Sequence, residues 1–424
     1  MIALGISFVA LLLVGVPVLF ALGLSGAIGM WAVGVDLISV PTRLFTGMDS
    51  FILLAAPFYI FAGEIMNRGG ITTRLIRLAG LITRGVHGGT AYTNVTSSVF
   101  FAGISGAAVA DTAALGQVFI KGMPQEGYDK NYAAAVTIAS SIIGPIIPPS
   151  VIMIIYAAVT RVSVIDLFVA GIVPGLMLAG ACWLVIFIQA RGGRLPRSPR
   201  EKVEKGELLK LVRDGLLVGA LPAIIVVGTL SGAFTATEAG GVAVVYALII
   251  TWGVFRSIDW PQLWDALQVS ARMTATVYLI IAAATIVSYV LTIGGIADWV
   301  QELGTFFKGQ PTLFMMALAL VLLVVGTFLE PGAAIVLLMP MLLPLSQAMG
   351  IDPMQFAMVV ILTLTLGLIT PPVGVCLFLA CRIANSTVGA VVRAVMPFLL
   401  AELGVVFLLT LVPALSSGLP SLFK

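Results

Sequence analysis

Gly144-Pro145-Ile146-Ile147-Pro148-Pro149-Ser150 interrupts one apolar stretch, and Gly367-Leu368-Ile369-Thr370-Pro371-Pro372-Val373-Gly374 interrupts another, 371 − 148 = 223 residues later. Proline has no N–H and its ring clashes with the preceding turn, so a Pro-Pro pair strips ladder hydrogen bonds from a helix. Lipid offers no substitute partner, and irregular backbone at membrane depth therefore belongs where protein or a cavity surrounds it. Two such breaks at matching positions in two halves of a chain predict a binding site near the bilayer midplane.

The rest of the chain agrees with a membrane setting. Of 424 residues, 60% are hydrophobic and 10% charged, with a mean hydropathy of +1.14, against about 25% charged in soluble domains. An all-α polytopic membrane protein follows. Apolar runs near 2–31, 48–66, 132–158, 165–189, 211–231, 238–256, 274–292, 355–381 and 389–412 each reach roughly the 18 residues a crossing needs. That predicts about nine crossings and leaves two unusual regions, 90–119 and 311–348. The start, Met1-Ile2-Ala3, lacks a basic leader, so no removable signal peptide is expected. The net charge of +3 resides in loops and forms no nucleic-acid stripe. Cys182, Cys376 and Cys381 lie in apolar runs without metal-ligand spacing and read as buried thiols.

Landmarks recur at a nearly constant offset of 223 to 226 residues. Gly69-Gly70-Ile71 returns as Gly294-Gly295-Ile296, Gly106-Ala107-Ala108 as Gly332-Ala333-Ala334, and Ser163 with Pro174 as Ser386 with Pro397. Two repeats are predicted, residues 1–200 and 201–424. The first holds a hairpin at 90–119 and a broken helix at 132–158, the second a hairpin at 311–348 and a broken helix at 355–381. Charge sets their orientation. Residues 190–214 carry eight Lys/Arg and residues 67–90 four Arg without an acid, and both loops should be cytoplasmic by the positive-inside rule. Both fall on one side only if 90–119 is a re-entrant hairpin. Five crossings then separate Gly69-Gly70 from Gly294-Gly295, so the second repeat is inverted, as in secondary transporters. The stretch 256–272, with Trp260, Trp264 and mixed charge, reads as an interfacial amphipathic helix.

The hairpin tips are small and polar. Asn94, Thr96, Ser97 and Ser98 lead into Ile104-Ser105-Gly106-Ala107-Ala108 and Asp111, and the second tip reads Gly326-Thr327-Phe328-Leu329-Glu330-Pro331-Gly332. Unwound turns expose carbonyl oxygens that suit a hard cation, while half-helix N-termini attract an anion. Each tip facing one break could enclose one sodium ion, with an anionic substrate between. Ser105, Ser150, Thr327 and Thr370 can equally serve as helix-helix glue. Among acids at membrane depth, Glu64 pairs with Arg68, Glu238 completes a capping box begun by Thr235, and Asp111 and Glu330 lie beside the tips, ordering backbone or tuning cation affinity. Arg161 and Arg382 end the broken helices and either snorkel or meet a substrate carboxylate. His87 reads as a solvated loop residue. No HExxH, GxSxG or acid cluster supports an enzyme.

With these motifs placed, the chain strongly resembles the large, DctM-like membrane subunit of tripartite ATP-independent periplasmic (TRAP) transporters. The carriers are Phe61-Ala62-Gly63-Glu64-Ile65-Met66-Asn67-Arg68-Gly69-Gly70, Ile104-Ser105-Gly106 with Ala110-Asp111, both Pro-Pro breaks, and Gly171-Ile172-Val173-Pro174-Gly175. The resemblance implies sodium-driven (Na+, two or more ions) uptake of an organic acid across a bacterial inner membrane by an elevator motion. It also implies two partners, a small four-helix membrane subunit and an extracytoplasmic substrate-binding protein. Sodium sites carry over onto Ser105, Gly106, Gly144, Pro145, Pro148 and Ser150, and onto Thr327, Gly332, Thr370, Pro371 and Gly374. Substrate contacts are expected at Ser105, Ser150, Glu330, Thr370 and Arg382. Many relatives carry a second serine where this chain has Ala107. The rival expectation is a stand-alone sodium-coupled carrier of the divalent-anion type, which shares repeats, hairpins and breaks.

Overall fold

The computed structural model describes residues 2–193, 195–198, 205–295, 302, 305–307 and 309–423, and within them every extended regular element is helical. The chain opens with α1 (Ile2–Leu13), α2 (Val18–Ala32), α3 (Ser39–Met48), α4 (Ala55–Arg68) and α5 (Ile71–Thr83). A five-helix series follows: α6 (Gly89–Ser105), α7 (Ala108–Gly122), α8 (Lys130–Ser141), α9 (Val151–Thr160) and α10 (Val164–Arg191). After α11 (Lys205–Leu230), α12 (Ala236–Leu248) and α13 (Trp260–Ile293), the series returns. It runs through α14 (Pro311–Phe328), α15 (Pro331–Ala348), α16 (Pro353–Gly367), α17 (Val375–Ala384) and α18 (Val388–Leu411), and α19 (Ala414–Ser421) closes the chain. Each member of the second series begins 222 to 224 residues after its counterpart, for example 375 − 151 = 224.

Both breaks fall where the prolines require them. α8 and α16 end in tightened turns of the same kind: Gly144 N–H bonds Ser141 O at 3.2 Å, and Thr370 N–H bonds Gly367 O at 3.1 Å. Both prolyl-prolyl bonds, Pro148-Pro149 and Pro371-Pro372, are cis. α8 from Ala133 onward and α16 from Met354 onward are buried on every side, as expected of helices apolar all round.

Hydrogen bonds between loops settle the orientation of the halves. Gly88 N–H bonds Pro196 O at 2.9 Å, Ser198 N–H bonds Val86 O at 3.1 Å, and the Arg197 guanidinium bonds Gly85 O at 2.8 Å. The two basic loops therefore lie at one end of the molecule, and α6–α7 is a hairpin that returns to the end it left. Lys130 Nζ donates to Asn385 O at 2.8 Å, and the Ser386 hydroxyl to the Asn131 side chain. The start of α8 thus sits beside the end of α17. In the first repeat the corresponding loop, 161–163, lies one crossing away from Lys130, so the second repeat is upside down.

Two expectations are corrected. The apolar run 2–31 is two helices, because Gly15 takes a left-handed conformation (φ 87°) and Pro17 begins the next helix. At 12 and 15 residues they measure about 18 and 22 Å, short of a bilayer core of about 30 Å. The stretch 256–272 is not a separate interfacial helix. Asp259 caps α13 in a box with Gln262, no breaker follows, and one helix of 34 residues continues to Ile293. The hairpin expected at 311–348 is present, although length alone would count its arms as crossings. Eight described helices are long and apolar enough to span a membrane, and two of them are the hairpin arms α14 and α15. Arg194, Arg200, Lys202, Ile296 and the boundary at 200/201 lie outside the described residues.

Other expectations hold. Glu64 pairs with Arg68 at 3.2 Å, and Arg68 also reaches Asp265 at 2.5 Å, joining α4 to α13. Thr235 and Glu238 form the capping box that opens α12. The three cysteines are buried free thiols, and His87 is exposed in its loop.

Candidate functional site

A cavity of about 330 Å³ lies where both tips and both breaks converge. Its wall includes Ala108, Val151, Pro331 and Val375, the first residues of α7, α9, α15 and α17. Four helix N-termini thus open on one space. Each presents the positive end of its dipole, a surface suited to an anion, with first-turn amides open at α7 and α9, whereas Glu330 takes up Ala333 N–H of α15 and Leu368 O takes up Cys376 and Leu377 N–H of α17. The far wall is Ile60, Gly63, Glu64 and Asn67 of α4 with Met273, Thr276, Val277 and Ile280 of α13. No Lys or Arg lines it among the described residues, so backbone dipoles supply the positive potential.

Each tip rests on its own break. A Cβ at Gly106 would lie 2.8 Å from Pro149 O, and Gly374 N–H donates to Thr327 O at 3.2 Å. Buried Asp111 accepts from the Ser105 hydroxyl with one carboxylate oxygen, while Oδ2 has no partner among the described residues. That oxygen faces Gly144, where a Cβ would lie 2.1 Å from it and 3.2 Å from Ser141 O. Only glycine leaves this gap open. A buried carboxylate oxygen without a donor, beside a backbone carbonyl, is the donor set of a hard cation. In the second repeat Ala334 stands at the corresponding position, fourth in α15 as Asp111 is in α7, and the hydroxyls of Thr327 and Thr370 donate to Val324 O and Leu366 O, both at 2.8 Å. Their remaining lone pairs are free to accept.

Ser105, Gly106 and Glu330 line the cavity. Gly144, Pro145, Pro148 and Ser150 lie buried beneath the first tip. The Ser150 hydroxyl is occupied, donating to Pro145 O at 2.5 Å and accepting from Met153 N–H at 3.3 Å as the cap of α9. Thr327, Gly332 and Gly374 are buried at the second tip and break, and Thr370 and Pro371 half-buried. Glu330 is the N-cap of α15, accepting from Ala333 N–H at 3.1 Å; a carboxylate spent there orders the hairpin and does not attract an anion. Arg382 sits exposed in the last turn of α17. It does not line the cavity, since seven residues of helix carry it about 10 Å beyond Val375. Arg161 is likewise exposed, capping α9.

Asn94 and Ser98 prove to be glue, donating to Thr137 and Ser140 of α8 at 2.7 and 2.8 Å. Ser98→Ala is expected to cost about 1 kcal/mol, seen as a lower melting temperature. The sequence reading passed over one acid, Glu402, buried in α18. The signal was present: it is the one charge in Pro397–Leu411.

The model of the tripartite ATP-independent periplasmic transporter DctM component matches residues 5–415. The C4-dicarboxylate TRAP transporter large permease protein DctM of Pseudomonas aeruginosa is 38% identical over 95% of this chain and 94% of its own. The 2,3-diketo-L-gulonate TRAP transporter large permease protein YiaN of Escherichia coli is 35% identical over 95% and 94%. Among solved structures, the YdaH transporter of Alcanivorax borkumensis shares the fold, with a TM-score of 0.62 at 15% identity over 88% of this chain and 87% of that one. With two inverted helical series around one anion-suited cavity and a family match over nearly its whole length, the chain belongs to the DctM components of tripartite ATP-independent periplasmic transporters, multi-pass inner-membrane transport proteins and not enzymes.

Proposed function

We propose that this protein carries out sodium-coupled uptake of an organic carboxylate, a C4-dicarboxylate or sugar acid, delivered by an extracytoplasmic binding protein and assisted by a small four-helix membrane subunit. The observation that carries the reading is the convergence of four helix N-termini, without a basic side chain, on one cavity beside the unpartnered Asp111 oxygen. An anion there needs compensating charge, and sodium ions bound at tip and break would supply it. The first ion is held by Ser105, Asp111 and the backbone of Gly106, Gly144, Pro145 and Pro148. The second lies against Thr327, Thr370, Gly332, Pro371 and Gly374. Ser105 and Thr370 hydroxyls and the N-termini orient the substrate.

Packing supports an elevator division into a transport and a scaffold body, interleaved along the two repeats, 1–200 and 201–424. α6–α10 and α14–α18 pack on one another around the breaks, whereas α2, α3, α4, α12 and α13 form a second body. The cavity lies between the two bodies, so the first would slide against the second with ions and carboxylate enclosed. Reconstitution with both partners tests this. Uptake of a C4-dicarboxylate or sugar acid should require an inward sodium gradient and vanish when the binding protein is omitted. Uptake by this chain alone would favour a stand-alone divalent-anion carrier, and uptake indifferent to sodium would sink the coupling.

A further inference from the structure

The junction of α10 and α18 buries an acid away from the cavity just described. Glu402, in the interior of α18, is fully buried and makes no ion pair among the described residues. Its Oε1 accepts from the Cys182 thiol of α10 at 3.3 Å, and its Oε2 has no partner. Tyr132, at the start of α8, packs its ring 6.1 Å from that of Phe398, one turn before Glu402, and 6.1 Å from that of Tyr128. The hydroxyls of Tyr132 and Tyr128 are also buried without partners. The titratable groups at this junction are therefore Cys182 from α10 and Tyr132 from α8, with Tyr128 and Tyr92 of α6 beside Tyr132. α16, packed on the other side, brings only Gln355, whose amide donates to Leu409 O and Thr410 O at 2.8 and 3.0 Å.

An ionised carboxylate needs several donors or a cation, and a thiol is one weak donor. An acid at membrane depth with so little compensation is held neutral by a proton. We propose that Glu402 is a proton-binding site, distinct from the sodium sites, that holds its ligand as the neutral acid and exchanges it along Tyr132 and Tyr128. Those tyrosines lead to the end of the molecule where Lys130 meets Asn385.

Infrared spectroscopy of the full chain in lipid vesicles tests the site without any transport assay, so its failure is separable from failure of the sodium reading. The wild type should show a protonated-carboxyl carbonyl band that Glu402→Gln loses, that Cys182→Ala shifts, and that fades as pH rises. In deuterated water Tyr132→Phe should slow the isotope shift of that band. Identical carbonyl regions in the wild type, Glu402→Gln and Cys182→Ala would overturn the site, and exchange at an unchanged rate in Tyr132→Phe would overturn the route.

Discussion

Leucine in place of Gly367 is expected to leave no folded transporter in the membrane. Where α14 crosses α16, a Cβ built on Gly367 falls 2.2 Å from Gly326 C and 2.5 Å from Gly326 O, and one built on Gly326 falls 2.5 Å from Leu364 O. The obstructing atoms are backbone, so no rotamer change relieves the overlap. Overpacking a core commonly costs about 1–3 kcal/mol when side chains can shift. Two helix backbones would have to separate here, and the hairpin would lose its seat on the second break. Alanine at either position should already lower the melting temperature and yield of purified protein, with leucine abolishing both. Normal yield and monodispersity of Gly367→Leu would show that the two helices do not meet at these glycines.

Asp111→Asn is expected to fold and yet lose sodium-coupled uptake. The exchange keeps shape and a hydrogen-bonding partner for Ser105 while removing the carboxylate charge that the proposed sodium ion would meet beside Gly144. Deleting one member of a buried charge pair costs about 3–5 kcal/mol, so half-saturating sodium should rise roughly a hundredfold or more, at 1.4 kcal/mol per factor of ten. Melting in the absence of sodium should change little, and sodium should no longer raise it, since a ligand stabilises only the state it binds. Sodium stabilisation equal to that of the wild type would remove Asp111 from the ion site. Because Ala334 replaces the acid in the second repeat, the effect should concern one ion and leave weaker sodium binding at the other tip.

Much of the architecture was legible because the lipid environment restricts the backbone so strongly. Pro148-Pro149 and Pro371-Pro372 had to be breaks, and arginine counts around 67–90 and 190–214 had to place two loops at one end, as their mutual hydrogen bonds show. Thr235 with Glu238 and Glu64 with Arg68 are local pairs, three and four residues apart, and proximity in sequence settles them. The run 2–31 misled because hydropathy does not register the left-handed Gly15, and 256–272 because mixed charge does not by itself end a helix. Long-range placement was beyond reach. Arg382 was a plausible partner for a carboxylate until the length of α17 carried it past the cavity, and Glu330 until its oxygen was found capping α15.

From its residues alone this chain was bound to be a duplicated, inverted helical membrane protein with two broken helices, since proline chemistry and the cost of unpaired backbone in lipid leave no other arrangement. Only the tertiary structure could decide which polar groups meet. Four helix starts converge on one space, Asp111 aims an unpartnered oxygen at Gly144, and Glu402 is sealed against Cys182, because each contact joins segments whose separation in sequence carries no record of their distance in space.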